Sequence, residues 1–182
     1  MGAVVENKEV NFIDALAQHQ VESKIWLIER LEKLNENFNK GIFIGGWLGI
    51  SSYWAMERKL MKNVTNLDLD DNAIKFSDKL NSICKEHKMY KGIVGDASTH
   101  DYSEYDLVIN TSSEHMTEEW FDNIKEGTTV AIQTNDFHDI EEHINTVRNL
   151  KELEEKYPLS KVLFSGVKDC DRYNRFMMIG IK

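Results

Sequence analysis

Two hydrophobic patterns alternate along this chain. Short, nearly continuous apolar runs are separated by longer segments in which apolar residues recur every three or four positions. Continuous apolar runs are typical of strands buried on both faces, and the longer spacing is typical of amphipathic helices. Strands that alternate with helices predict a parallel sheet covered on both sides. The predicted strands of this region are GIFIGG, VTNLDL, YKGIVGDA, YDLVINTS and GTTVAIQTN.

The two ends of the chain depart from this alternation. Residues Asn11–Leu34 are expected to form one amphipathic helix, or two, that lead into the sheet. At the other end, SKVLFSGVKD and RYNRFMMIGIK are joined by a polar turn that is too short for a parallel crossover, so they predict an antiparallel hairpin. The predicted fold is an α/β, Rossmann-like three-layer sandwich with a mostly parallel seven-stranded sheet that ends in an antiparallel β-hairpin. We expect a single domain over residues 1–182, with a helical lead-in at 1–40 and the core at 41–182.

The remaining helices are predicted between and after these strands. Asp70 or Asp71 is expected to cap one of them, because an aspartate accepts hydrogen bonds from the free amides of a first helical turn. The predicted helices are SSYWAMERKLMK, DNAIKFSDKLNSICKEH, EEWFDNI and DIEEHINTVRNLKELEEKY.

Composition narrows the class of protein. The 22 lysines and arginines against 31 aspartates and glutamates give a net charge of −9. Nucleic-acid binding depends largely on cationic contacts to phosphates, so DNA is an unlikely partner for this acidic chain. The two cysteines fit a reducing compartment, and neither a signal-like start nor an apolar run of membrane-spanning length is present. We expect a cytoplasmic protein that does not associate with membranes, of unknown oligomeric state.

A glycine-rich turn, residues 45–49, follows the first strand. Gly45, Gly46 and Gly49 allow a tight turn and the close approach of a ligand to the backbone. In an open parallel sheet, ligands bind beyond the carboxyl ends of the strands. A ligand cradle and a purely structural turn both fit this motif taken alone.

Polar side chains follow the next three strands as well. Asp68 ends the second strand at about the distance from the glycines where such folds place an acid on ribose hydroxyls. Asp96 follows the third strand and is placed to accept from an exocyclic amine such as that of adenine, and Asn110 ends the fourth. Suitable groups at four successive strand ends favour the ligand cradle over the structural turn.

These motifs resemble those of the class I S-adenosylmethionine-dependent methyltransferases, from about Lys24 to the end of the chain. IFIGGWLG is similar to the glycine-rich first motif of that family, NLDLDDNAI to its second, GDAS to its third and YDLVINTSSEHM to its fourth. The closing hairpin is similar to the family's antiparallel seventh strand. The nearest likeness is to small stand-alone members from phages and bacteria. The resemblance implies S-adenosylmethionine as cofactor, bound by Gly45, Gly46, Trp47, Gly49, Asp68, Leu69, Asp96, Ala97 and Asn110.

Other nucleotide-binding and methylating classes fit less well. A dinucleotide fingerprint ending at Gly49 needs a glycine at position 44, where the chain has isoleucine, and no triphosphate-binding loop is present. Asn110 is followed by TSS and not by the Pro-Pro-aromatic sequence of enzymes that methylate base amines. The only proline, Pro158, precedes leucine, so the Pro-Cys nucleophile of cytosine C5 enzymes is absent too.

Candidate catalytic residues follow the fourth strand. His115 is the preferred candidate for a general base, because imidazole titrates near neutrality. A purely structural role, in which the Glu-His pair caps the short helix that follows, is the alternative. Glu114 is a candidate to hold a substrate ammonium group.

The fifth strand and the first helix supply candidates for substrate contact. Gln133, Asn135 and His138 are expected at the substrate rim by position alone. Ser23, Lys24 or Trp26 of the first helix are weaker candidates for contact with the methionine end of the cofactor or with the substrate.

The sequence predicts no required metal. The segment HDIEEH fits neither of the spacings known for zinc-binding helices, and a solvated helix start is the simpler interpretation.

The leading functional hypothesis is methyl transfer from S-adenosylmethionine to a small polar metabolite or a protein side chain. Transfer of an aminopropyl or aminocarboxypropyl group on the same scaffold is one alternative. A non-catalytic subunit that binds the cofactor for a partner chain is the other.

Overall fold

The computed structural model describes residues 15–182, so the first part of the predicted N-terminal helix lies outside the described residues. Within that range, no helix is both long and apolar enough to cross a membrane. The strands are β1 (Phe38–Ile44), β2 (Met61–Asp68), β3 (Tyr90–Val94), β4 (Leu107–Asn110), β5 (Thr129–Asn135), β6 (Lys161–Asp169) and β7 (Asn174–Ile181). The α-helices are α1 (Gln18–Lys33), α2 (Ile50–Glu57), α3 (Asp71–Leu80), α4 (Ser82–Glu86), α5 (Glu119–Asp122) and α6 (Leu150–Lys156), and a 3₁₀ turn spans Ser113–His115.

The seven strands form one sheet in the order β3-β2-β1-β4-β5-β7-β6. Strands β1 to β5 pair in parallel, whereas β7 is antiparallel to both β5 and β6. The predicted fold class, including the closing antiparallel hairpin, is confirmed. Because β1 lies between β2 and β4, the strand order reverses at β1, and a crevice opens there beyond the carboxyl ends of the parallel strands.

Alternate residues of each central strand pack on opposite sides of the sheet. On one side, Phe43 of β1 packs in a cluster with Leu27 and Leu31 of α1 and residues of α2. On the other side, Ile42 and Ile44 pack in a second cluster with α5 and α6. The sheet is therefore the middle layer of three, and its two faces are covered by different helices.

Asp70 caps α3, as the sequence predicts: its carboxylate accepts from the amides of Asn72 and Ala73. The long charged helix predicted over residues 139–157 is wrong for most of its length, because only α6 is helical there. The preceding loop, residues 136–149, forms hydrogen bonds to other loops instead. The amides of Asn145 and Val147 donate to backbone carbonyls after β4 and at the end of β5, and these tertiary bonds replace the helical ones.

Candidate functional site

A cavity of about 510 Å³ lies at the carboxyl ends of β1 to β4, where the strand order reverses. Its volume is within the usual range for small-molecule sites. The glycine turn after β1, the ends of β2 and β3, the loop after β4 and one side of α1 form its walls. Of the predicted cofactor residues, those on the wall are Gly45, Gly46, Trp47, Asp68, Leu69, Asp96 and Ala97.

The glycine turn packs closely on the buried side chain of Asn66. A Cβ atom at Gly46 would lie 1.9 Å from Asn66 Oδ1, so this position has no room for a side chain. The Asn66 amide donates to the Trp47 carbonyl (3.1 Å) and to Ser77 Oγ (3.1 Å), and its oxygen accepts from Ser52 (3.2 Å). The Asn66 side chain therefore fixes the position of the glycine turn. Sequence analysis missed this residue, because nothing in the strand pattern marks its side chain as part of the turn.

The Asp68 carboxylate links the end of β2 to the glycine turn. Its Oδ2 accepts from the Trp47 amide (2.8 Å) and its Oδ1 from the Asp70 amide (3.0 Å). Trp47 has a positive φ of 47°, an uncommon conformation for a non-glycine residue, and the bond to Asp68 helps to hold it. Burial raises the pKa of Asp68, against the opposing effect of these amides. Each oxygen of an ionised carboxylate accepts about two hydrogen bonds, so capacity remains for a ligand in the cavity.

Asp96 follows β3, the neighbour of β2, and lines the cavity in a turn of its own. Its Oδ1 accepts from the amide and the hydroxyl of Ser98, each at 2.8 Å. These hydrogen bonds lower the pKa of Asp96. The side chain is exposed, so Oδ2 can accept from a ligand. Ala97 and the exposed Leu69 also line the cavity and supply apolar surface.

Glu114 lies in the 3₁₀ turn after β4 and is buried at the cavity wall. Its Oε1 accepts from Arg175 (2.8 Å) and from Asn135 (2.7 Å). Its Oε2 is buried and has no hydrogen-bond partner within residues 15–182. Burial acts to lower the pKa of Arg175, but the Glu114 charge and Tyr173 outweigh it and raise the pKa, so the guanidinium stays ionised. The predicted ammonium-binding carboxylate therefore already has an internal cation.

His115 follows Glu114 and is exposed at the same wall. Its Nδ1 lies 3.2 Å from the backbone carbonyl of Glu142. Its ring meets that of His143 edge to face, with the ring centroids 4.6 Å apart. His143 belongs to the loop of residues 136–149, so this loop brings a second imidazole to the candidate base. The sequence did not single out this pairing, because the two histidines lie in loops after different strands.

Two predicted cofactor residues lie next to the cavity but do not line it. Gly49 has a positive φ of 69° and packs against Ser77, where a Cβ atom would lie 1.8 Å from Oγ. Asn110 is fully buried, and its carboxamide oxygen accepts from the Ser112 amide (2.9 Å). Both residues shape the loops that form the cavity wall.

The three predicted substrate residues are also absent from the cavity wall. Gln133 is buried and hydrogen-bonded to Ser23 of α1, whose carbonyl accepts from its amide at 3.0 Å. Asn135 is buried and donates to Glu114. His138 is exposed, with Nδ1 2.6 Å from Thr146 Oγ1. All three side chains therefore form contacts with other residues of the chain and not with the cavity.

Helix α1 covers part of the cavity, as the sequence suggests. Lys24 lines the wall and donates to Gln20, its neighbour one turn earlier, at 2.9 Å. Trp26 instead packs against Phe164, edge to face, with the ring centroids 5.9 Å apart. Arg175 of β7 also lines the cavity. Sequence analysis missed Arg175, because a charged residue in a hairpin strand is most simply interpreted as exposed.

Comparison with known proteins identifies the architecture. No protein-family model matches the chain, and no curated protein matches its sequence. Among solved structures, the N-methyltransferase NodS from Bradyrhizobium japonicum WM9, in complex with S-adenosyl-L-homocysteine, matches with a TM-score of 0.72 and 12% identity, over 96% of this chain and 93% of its own. The chain has the fold of the class I S-adenosylmethionine-dependent methyltransferases.

Two further structures share this methyltransferase fold. Magnesium protoporphyrin IX methyltransferase (ChlM) from Synechocystis PCC 6803, with bound S-adenosylmethionine, has a TM-score of 0.71 at 9% identity, over 96% of this chain and 85% of its own. The 1,6-didemethyltoxoflavin-N1-methyltransferase of Burkholderia thailandensis has a TM-score of 0.66 at 11% identity, over 94% of this chain and 82% of its own. It was solved with 1,6-didemethyltoxoflavin and S-adenosylhomocysteine. At these identities the likeness concerns the fold.

Proposed function

We propose that the protein binds S-adenosylmethionine and transfers its methyl group to a small polar metabolite or a protein side chain. One observation carries the proposal: in a methyltransferase fold, a single cavity brings together the glycine turn, Asp68 and Asp96 at the ends of three consecutive strands. Each of these groups suits a different part of the cofactor.

The cofactor is assigned to the cavity by the chemistry of its walls. Asp96 accepts from the adenine amine through its exposed oxygen, and Ala97 and Leu69 provide apolar surface for the ring. Asp68 accepts from the two ribose hydroxyls, which a carboxylate does well because it is purely an acceptor. The methionine end lies along the glycine turn and below Lys24 of α1.

The reacting methyl group then points toward the loop after β4. The acceptor's lone pair attacks the methyl carbon, the carbon–sulfur bond breaks, and S-adenosylhomocysteine leaves with the bonding electron pair. His115 is the proposed base that takes the acceptor's proton, because its exposed ring lies on this wall. Alignment of the two reactants supplies much of the rate enhancement in such a displacement. Glu114 is paired with Arg175, which favours a positioning role for it.

The proposal is tested by calorimetric titration with S-adenosylmethionine and S-adenosylhomocysteine. Asp96→Asn keeps an oxygen that can accept from Ser98, but it places an amide NH2 group where the adenine amine needs an acceptor. We expect at least about tenfold weaker binding, which corresponds to the loss of one good hydrogen bond. Asp101→Asn is the matched control, because Asp101 forms the same kind of turn with Ser103 and lies outside the cavity wall. Equal affinity in all three proteins would contradict the assignment.

Product analysis distinguishes the reactions open to this scaffold. Methyl transfer leaves S-adenosylhomocysteine, whereas transfer of an aminopropyl or aminocarboxypropyl group leaves methylthioadenosine. Incubation of the protein with labelled cofactor and cell extract should yield the former. Tight binding without either product would favour the non-catalytic partner subunit.

A further inference from the structure

We propose that Glu114, His115 and His143 form a binding site for a divalent transition-metal ion at the acceptor end of the cavity. One potential ligand atom from each residue lies within 4.8 Å of the other two. Ligand atoms at about 2.0 to 2.2 Å from one tetrahedral zinc ion lie about 3.3 to 3.6 Å apart, so rotations of the two imidazoles can bring all three to coordination distance. His115 is exposed and His143 only half-buried, so both rings have room to rotate.

Hydrogen bonds already select the tautomer that a metal requires. His115 Nδ1 lies 3.2 Å from the Glu142 carbonyl, and His143 Nδ1 lies 2.6 Å from the Phe137 carbonyl. A carbonyl oxygen can only accept, so in both rings Nδ1 carries a proton, and in the neutral form of each ring Nε2 presents its lone pair. Metal-binding histidines in proteins usually have their other nitrogen held in this way. Two neighbouring imidazoles with the same arrangement indicate a built site.

The buried carboxylate supplies a separate observation. Glu114 is only 2% exposed, and its Oε1 is fixed by Arg175 and Asn135. Its Oε2 has no hydrogen-bond partner within the described part of the chain, which is costly for a buried charged group. A metal ion next to the histidine pair would satisfy this oxygen, while the two bonds to Oε1 hold the carboxylate in orientation.

The donor set indicates the class of ion. Two imidazole nitrogens and one carboxylate oxygen suit zinc and other first-row transition ions, whereas magnesium and calcium prefer oxygen ligands. Three protein ligands leave at least one coordination position open, as in catalytic zinc sites. Because Glu114 and His115 also line the cavity, that position is accessible to an oxygen or nitrogen of the methyl acceptor. Only this last step rests on the proposed methyl transfer; ion binding does not.

This inference revises two expectations from the sequence. The sequence predicted no required metal, because the spacing within HDIEEH fits no zinc-binding helix. His143 is indeed not paired with His138, but with residues of a different loop. With the ion bound, His115 would be a ligand and not the base assigned above. The ion would lower the pKa of the bound acceptor group, which would release its proton to solvent before its lone pair attacks the methyl carbon.

The test is titration of the untagged full chain, stripped with EDTA, with zinc chloride by calorimetry and with cobalt(II) by visible absorption. The principal variant is His143→Asn, which keeps a side-chain donor for the Phe137 carbonyl but loses the ring nitrogen that would bind the ion. His87→Ala is the control, because it removes an exposed histidine at the end of α4. We expect one site in the wild-type chain, with the cobalt spectrum of a nitrogen- and oxygen-coordinated ion, and at least about tenfold weaker binding in His143→Asn.

The outcomes separate this inference from the proposed function. If the wild-type chain binds neither ion, or if His87→Ala and His143→Asn lower the affinity equally, the site is rejected. S-adenosylhomocysteine titration of each variant reports separately on the cavity and on folding. Ion binding without cofactor binding would reject the proposed function and support the metal site. Cofactor binding without ion binding would reject the metal site and leave the proposed function standing. His115→Asn provides a second test, with the same expected loss.

Discussion

Arg175 donates to Glu114 across 2.8 Å, and each of the two side chains is only 3% exposed. The pair joins β7 to the loop after β4, two elements that are far apart in sequence. Burial of two charges is costly, and breaking such a pair leaves the remaining charge uncompensated. The closing hairpin of the methyltransferase fold is thus tied electrostatically to the wall of the proposed acceptor site.

Removal of the Glu114 carboxylate tests how much this ion pair contributes to stability. Glu114→Ala leaves the Arg175 guanidinium buried without its anion, so we expect a loss of about 3–5 kcal/mol in the free energy of unfolding, measured with urea. Glu104→Ala removes one partner of an exposed pair with Lys40 and should cost less than about 1 kcal/mol. Equal, small losses in both variants would show that the Arg175 pair is solvated in solution.

The close packing of Gly46 on Asn66 gives a second prediction. Gly46→Ala places a methyl group against the Asn66 carboxamide, and we expect a loss of about 1–3 kcal/mol in stability together with weaker cofactor binding. Asn66→Ser makes room for that methyl group. The double variant should therefore lose less than the sum of the single losses in a urea-unfolding cycle. Strict additivity would mean that the two side chains do not meet.

The attachment of α1 gives a third prediction. Gln133 donates to the Ser23 carbonyl and accepts from the Ser23 hydroxyl at 3.2 Å. Gln133→Leu removes both bonds inside the core, so we expect a loss of about 1–3 kcal/mol and faster hydrogen exchange across α1. Cofactor affinity should fall as well, because α1 carries Lys24 to the cavity. Gln18→Ala, which removes an exposed hydrogen bond within the same helix, should leave both quantities unchanged.

Acid should weaken cofactor binding at a pH where most aspartates are still ionised. Burial raises the pKa of Asp68, and its effect exceeds that of the Asp70 and Trp47 amides, which lower the pKa. The proposed ribose contact needs the ionised form, so affinity is present above this raised pKa and is lost as the pH falls through it. The same burial favours the protonated form in the folded chain, so the contribution of Asp68 to stability decreases as the pH rises through that range.

The measurement is calorimetric titration of S-adenosylhomocysteine from about pH 7 downward, as far as circular dichroism shows that the chain stays folded. Asp96→Asn is expected to bind more weakly throughout but to keep the same pH profile, because the Ser98 hydrogen bonds hold the pKa of Asp96 low and that group stays ionised. An affinity that is flat over this range would contradict the role given to Asp68.

Local pattern was sufficient to predict the sheet. The strands β1, β2, β4 and β5 are mostly buried on both faces, which explains their apolar runs, whereas the edge strand β3 is only partly buried. The short turn before β7 permits only an antiparallel return. The helix expected over residues 139–157 failed for a tertiary reason. Val147 is buried and its amide is bonded to the end of β5, so packing overrode the helical composition of that segment.

The sequence predicted only those site residues that directly follow a strand. Glycines and acids that directly follow strands meet at one edge of a parallel sheet, which is why Gly46, Asp68 and Asp96 share a cavity. Contacts between distant segments had no local signal. Packing of separate elements determines three such contacts: Asn66 with the glycine turn, Arg175 with Glu114, and His143 with His115.

The distribution of the four tryptophans has a consequence for measurement. Trp47 and Trp120 are on the cavity wall, whereas Trp26 and Trp54 pack in the cluster on the other face of the sheet. Occupancy of the cavity should therefore change the fluorescence of one pair of indoles and leave the other pair as an internal reference. The unlabelled protein carries its own optical reporter, and Trp47→Phe and Trp120→Phe would show which ring the ligand approaches.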